Sequence, residues 1–102
     1  MEKQPYNKLV RDNIPEWLKG KNIPFEERIA NDDEYKEELI KKIGEESAEF
    51  LADKSVEELA DLQEVINALK KLPEYSNLEE VRQAKYIDKG GFEKKIILKG
   101  EK

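Results

Sequence analysis

Carboxylates placed where a helix should bury its apolar face constrain this chain more than any other feature. Between Gly44 and Asp61 the sequence carries Glu45, Glu46 and Glu49, a short break at Asp53-Lys54-Ser55, and then Glu58 and Asp61. Glu46 and Glu49 are three residues apart, as are Glu58 and Asp61, so on a helix each pair shares one face, a turn apart. At about 100° per residue, Leu39, Ile43 and Phe50 form an apolar stripe that Ile40 and Leu51 widen, with Glu46 inside it and Glu49 at its edge. A second stripe joins Leu59, Leu62, Val65, Ile66, Leu69 and Leu72, with Glu58 near its middle and Asp61 at its margin. An unpaired carboxylate packed there costs several kcal/mol or takes up a proton. A divalent cation bridging the two pairs is therefore expected. The alternative, a solvated acidic face, suits Glu45, Glu57 and Glu64, whose phase points outward.

The residue inventory narrows the chemistry further. With no cysteine and no histidine, thiolate and imidazole chemistry are excluded, along with disulfides and zinc-thiolate sites. Any metal must be held by oxygen, which favours the hard cations magnesium and manganese. Gly90-Gly91 lies beside no phosphate-loop signature. From Asp32 to Glu64 there are 13 acidic and 4 basic residues, whereas Lys85 to Lys102 holds 6 basic and 3 acidic. An acidic middle argues against a nucleic acid polymer as partner and suits a small polyanion carried with its metal. No signal peptide and no apolar run of roughly 18 residues is visible, so a cytoplasmic protein that does not enter membranes is expected. Residues 1–102 read as a single domain. The chain is 42% charged and 37% apolar, a core thin enough to predict a homodimer or homotetramer.

Read in order, the chain is mainly α. Residues 1–13 form an extended or irregular arm; Ile14 to Lys19 a short helix with Pro15 in its first turn and Gly20 as its stop; Ile23 to Ile29 a strand or extended segment. The first long helix is expected to start at Asp32 or Asp33, either of which can cap it, and to run to about Ala52. Gly44 inside it costs on the order of 1 kcal/mol relative to Ala; it either permits a close approach by a neighbour or is simply tolerated. Ser55 and Glu58 form a capping-box pattern, a structural use of Glu58 that competes with metal binding. The second long helix, antiparallel to the first, is expected to reach about Leu72 and stop at Pro73. A third opens at Asn77, with Glu80 as capping partner, runs through roughly Ile87 and ends at Gly90-Gly91. Phe92 to Leu98 reads as a strand or extended tail able to pair with the N-terminal segment.

The pattern Glu45-Glu46-x-x-Glu49 followed by Glu58-x-x-Asp61 resembles the EExxE…ExxD signature of the MazG-like all-α nucleoside triphosphate pyrophosphohydrolases. The ends, Tyr6-Asn7-Lys8-Leu9-Val10-Arg11-Asp12 and Gly90-Gly91-Phe92-Glu93-Lys94-Lys95-Ile96, are similar to those of short members labelled phosphoribosyl-ATP pyrophosphohydrolase-like. The departures are a spacer of eight residues between Glu49 and Glu58, Asn13 where lysine is expected, and Lys89 where arginine is common; lysine offers a point charge rather than a bidentate fork. The resemblance implies a helical bundle that hydrolyses a nucleoside triphosphate to its monophosphate and pyrophosphate, with a house-cleaning role toward non-standard nucleotides. It further implies Glu46, Glu49, Glu58 and Asp61 as magnesium ligands, with manganese a substitute. Glu45 would be the base for the attacking water or a ligand through water. Lys8, Arg11, Lys89 and Lys94, with Lys85 and Lys95 behind them, are candidates to bind phosphate, and Tyr6, Trp17, Tyr35, Tyr86 and Phe92 to stack on a base. Two other readings stand beside this one: phosphoribosyl-ATP hydrolysis in histidine synthesis, and a non-catalytic helical module that keeps a metal for stability.

Overall fold

The structure, a computed structural model, describes residues 7–101 and divides into two compact units, Met1–Leu69 and Lys70–Lys102. The chain is mainly helical, with four α-helices and no strand among the described residues.

In the first unit, helix α1 spans Ile14–Gly20 with Pro15 in its first turn, where the missing N–H costs nothing. The expected stop at Gly20 is corrected: Gly20 is the last helical residue and Asn22 turns the chain. Asn22 takes the left-handed conformation at φ 57° and donates its N–H to the Lys19 carbonyl, while the Ile23 N–H reaches the Leu18 carbonyl. Those two bonds form the Schellman pattern. Of the two readings of Ile23 to Ile29, a strand or an extended segment, the strand does not form.

Helix α2 spans Asp32–Asp53, and its cap is Asn31 rather than Asp32 or Asp33: the Asn31 side chain accepts the Glu34 N–H at 2.9 Å. Asp32, Asp33 and Glu34 instead fill the first turn, where negative charge suits the helix dipole. At the other end Lys54 adopts a left-handed φ of 56° and donates its N–H to the Phe50 carbonyl. Ser55 then accepts the Glu58 N–H through its hydroxyl at 3.3 Å, and helix α3 begins at once, spanning Val56–Leu69. With only Lys54 and Ser55 between them, α2 and α3 fold back and pack along each other. Their register is antiparallel, since Glu49 faces Glu58 and, a turn earlier on α2 and later on α3, Glu46 faces Asp61.

Among the described residues of this unit, Leu18, Leu39 and Val65, one from each helix, are the buried apolar ones, with Ile43, Phe50, Leu62 and Leu69 half-buried along the seam. Helix α3 ends at Leu69, short of the expected Leu72, and Leu72 itself, as the residue before a proline, is kept out of the α region. Leu72 is extended at φ −74°, ψ 144° ahead of Pro73.

The second unit holds a 3-10 turn, Pro73–Tyr75, and helix α4, Leu78–Lys89. Asn77 precedes α4 without a side-chain capping bond, and Gly90, at φ 82°, closes it. Of the two readings of Phe92 to Leu98, a strand or an extended tail, the strand does not form; Lys95 is left-handed at φ 60° and its N–H returns to the Phe92 carbonyl at 3.1 Å.

Candidate metal centre

Helix α2 carries Glu46 onto the seam between Ile43 and Phe50, and α3 carries Glu58 and Asp61 onto the same seam one turn apart. Each of these three offers a carboxylate oxygen, and the three oxygens lie within 4.8 Å of one another. Oxygen ligands around a hard cation stand on the order of 3–4 Å apart, so the group is of nearly the size an ion needs. One oxygen of each glutamate, Glu46 Oε2 and Glu58 Oε2, is shielded from solvent and has no hydrogen-bond partner. Buried polar atoms are almost always satisfied. A bound cation is the simplest way to satisfy both at once, and the all-oxygen donor set suits a hard one.

The electrostatics of the group resist a full complement of negative charge. Burial pushes the Glu46 carboxyl above its ordinary value, the charges of Glu49 and Asp61 push it further, and Lys42 partly opposes them. Glu58 is also raised, by local burial first, then by Glu49 across the hairpin, Asp61 and Asp53. The Glu58 carboxylate faces Glu49 rather than folding back on Ser55, while its backbone N–H takes the Ser55 hydroxyl. The two uses of Glu58 that compete in the sequence are thus divided between its main chain and its side chain.

Two cations border the group. Lys42 Nζ stands 3.9 Å from both Glu45 and Glu46 carboxylates, its side chain only 16% exposed. Arg11 donates to Asp61 Oδ1 at 2.7 Å from the irregular arm. Glu49 is solvent-exposed at the edge of the seam, close enough to raise both Glu46 and Glu58 but outside the converging three. Glu45 is exposed beside Lys42.

A cleft of about 550 Å³ adjoins this region, between the arm, α1, residues 25–30 and the start of α2. Lys8, Arg11, Phe25, Arg28 and Tyr35 are among its lining residues. Arg28 grips Glu34 there through two hydrogen bonds of 2.6 Å. Trp17 lies on α1 with Lys21 Nζ 4.3 Å from its ring centre, and Tyr6 lies outside the described residues. Lys85 and Lys89 on α4, Lys94 and Lys95 after it, and Tyr86 and Phe92 are exposed residues of the second unit.

Sequence reasoning missed the roles of Lys42, Arg28 and the Arg11–Asp61 pair. Lys42 was detectable, since it precedes Glu46 by one helical turn. The Arg11–Asp61 pair spans fifty residues, and no local pattern announces it. Among the described residues no helix is long and apolar enough to cross a membrane. No family model matches the chain, no curated protein matches it, and no solved structure matches it.

Proposed function

We propose that this chain is a magnesium-dependent nucleoside triphosphate pyrophosphohydrolase of the MazG-like kind, acting as a homodimer or homotetramer. The observation that carries the reading is the convergence of Glu46, Glu58 and Asp61, where both glutamates also carry a shielded, unpartnered oxygen. Carboxylates at helical spacing are common, but two orphaned oxygens pointing into one seam ask for a cation. A divalent cation held there supplies charge neutralisation for phosphates and acidifies coordinated water.

The chain's own residues supply the remainder. Glu46, Glu58 and Asp61 hold the ion, and Glu49, one turn from Glu46 and facing Glu58, completes the acidic rim. Glu45, exposed beside Lys42, accepts the proton of the attacking water as the anhydride bond between the first and second phosphates breaks. Pyrophosphate leaves, and the nucleoside monophosphate takes the new oxygen or the bridging one. Lys8 and Arg11 border the adjoining cleft, where positive charge counters the anionic ligand. Lys89 and Lys94 enter the proposal from their places in the sequence motif alone. The assembly is supported by Ile40, Leu51 and Leu59, which are 48%, 67% and 49% exposed on the hairpin, more apolar surface than a small helical unit leaves to water by preference.

The test is pyrophosphate release from a panel of canonical and modified nucleoside triphosphates and phosphoribosyl-ATP, with magnesium, manganese or chelator, run beside Glu58→Gln and Glu45→Gln. Metal-dependent release lost in both variants, with folding intact, is expected. Silence across the panel while magnesium still raises the melting temperature would replace the enzyme with a metal-stabilised helical module.

A further inference from the structure

The Arg11–Asp61 pair joins two places that are otherwise separate, the carboxylate group and the cleft. Asp61 is one of the three converging carboxylates, and Arg11 lines the cleft. We infer that Arg11 is a displaceable counter-ion: it occupies Asp61 while no cation is bound, and moves to the anion in the cleft when a cation takes its place. This rests on the cation-site reading above and adds to it an obligatory coupling between metal and polyanion.

Three observations support the exchange. First, the pair is a single hydrogen bond of 2.7 Å between side chains that are 56% and 41% exposed, and ion pairs so open to solvent contribute little to stability. Second, Arg11 belongs to an arm without regular structure, so its side chain can leave Asp61 without disturbing a helix. Lys42 makes the contrast. It sits on α2 itself, one turn from Glu46 and largely covered, and it travels with the carboxylates it neutralises. Third, the cleft lies within the usual size range of a small-molecule site, roughly 300–1,000 Å³. A guanidinium released at its border presents the planar fork that matches phosphate oxygens.

A cation held by Asp61 and the Arg11 guanidinium on its Oδ1 repel each other across one carboxylate, so each weakens the other when no anion is present. With an anion in the cleft the competition turns into cooperation, because the anion draws Arg11 off Asp61 as the cation arrives. Linkage makes this reciprocal: whatever factor the polyanion contributes to metal affinity, the metal contributes to polyanion affinity.

The deciding measurement is calorimetric titration of the full chain with manganese alone, and separately with a preformed magnesium–tripolyphosphate complex. Wild type, Arg11→Gln, Arg11→Lys and Lys8→Gln are compared, each checked for folding by circular dichroism. Removing a competitor of this exposure should tighten manganese binding to Arg11→Gln by about two- to fivefold. The same variant should bind the magnesium–tripolyphosphate complex about tenfold more weakly, since a charge-assisted hydrogen bond is lost. Arg11→Lys should lie between wild type and Arg11→Gln in both titrations. Lys8→Gln, which removes a charge from the same arm without touching the Asp61 pair, should leave manganese binding alone unchanged. The opposite signs are the signature, because an arginine with a merely structural role would weaken both ligands when lost. Manganese binding that is unchanged or weaker in Arg11→Gln, or equally tightened in Lys8→Gln, would overturn the exchange. No manganese binding in any protein would overturn the cation site itself, and the exchange with it.

Discussion

Gly44→Ala should stabilise the protein, and the reason lies in what surrounds that position. Gly44 sits in the interior of α2, one residue before Glu45. A β-carbon built there meets no atom within 4 Å. The helix therefore carries the full entropic cost of a glycine, about 1 kcal/mol relative to alanine, without using the space the glycine leaves. Part of the gain on substitution comes from the unfolded chain, which loses freedom it would otherwise give up on folding. For a chain of this length 1 kcal/mol corresponds to a melting-temperature rise of about 4–8 °C. The assay is thermal denaturation followed by circular dichroism in chelator, so that metal binding contributes nothing, repeated over a tenfold range of protein concentration. A rise independent of concentration agrees with open space at Gly44. A fall would refute the reasoning: some backbone or side chain must then approach Gly44 in solution, and a fall that varies with concentration would assign it to a second copy of the chain.

Two further outcomes follow from the same structure. Glu46 and Glu58 have folded-state values above the ordinary 4.5, so between that value and the raised ones the folded state binds more protons than the unfolded state. Metal-free stability should therefore fall as pH rises through this window. The opposite contribution of Glu34, held low by Arg28, is lost only below 4.5 and does not mask it. Melts in chelator from pH 4 to 8 check the slope, saturating magnesium should flatten it, and a flat profile in chelator would contradict the placement of these carboxylates. Separately, Leu39→Ala removes a buried apolar side chain and should cost about 2–5 kcal/mol. Urea denaturation reads this directly, and a loss below 1 kcal/mol would mean that the α2–α3 seam is not the core.

The parts of the fold that were legible in the sequence are those set by local periodicity. The phase of Leu39, Ile43 and Phe50 placed Glu46 on the seam, and the phase of Leu59, Leu62 and Val65 placed Glu58 there; the converging group contains both. The extent of α2 was readable to within a residue at its C-terminal end, because the turn chemistry of Lys54-Ser55 follows directly. Choices between neighbouring residues of similar chemistry were harder. Asn31, Asp32 and Asp33 can each cap a helix, and only the observed Asn31 bond to the Glu34 N–H separates them. Glycine is the common residue for a left-handed stop, which drew attention to Gly20 and away from Asn22. At the C-terminus, the apolar run Ile96-Ile97-Leu98 has strand composition, but a strand needs a partner, and sequence composition does not supply one. The long-range part of the site was silent for the same reason. Nothing in the sequence around Arg11 points to Asp61, which becomes its neighbour only after the helices fold back.

The two-residue turn at Lys54-Ser55 has a consequence for how the centre comes into being. Glu46, Glu58 and Asp61 all lie within sixteen consecutive residues, so the group is made by one local chain reversal. Contacts of low sequence separation close first, on the order of microseconds for hairpin-sized segments. The carboxylates thus meet early in folding, before the arm bearing Arg11 has joined them, and their mutual repulsion opposes the very closure that creates the seam. An ion held by the group at that moment would relieve the repulsion while the hairpin is nascent. The metal would then govern the rate at which the chain reaches its native state as well as the stability of that state.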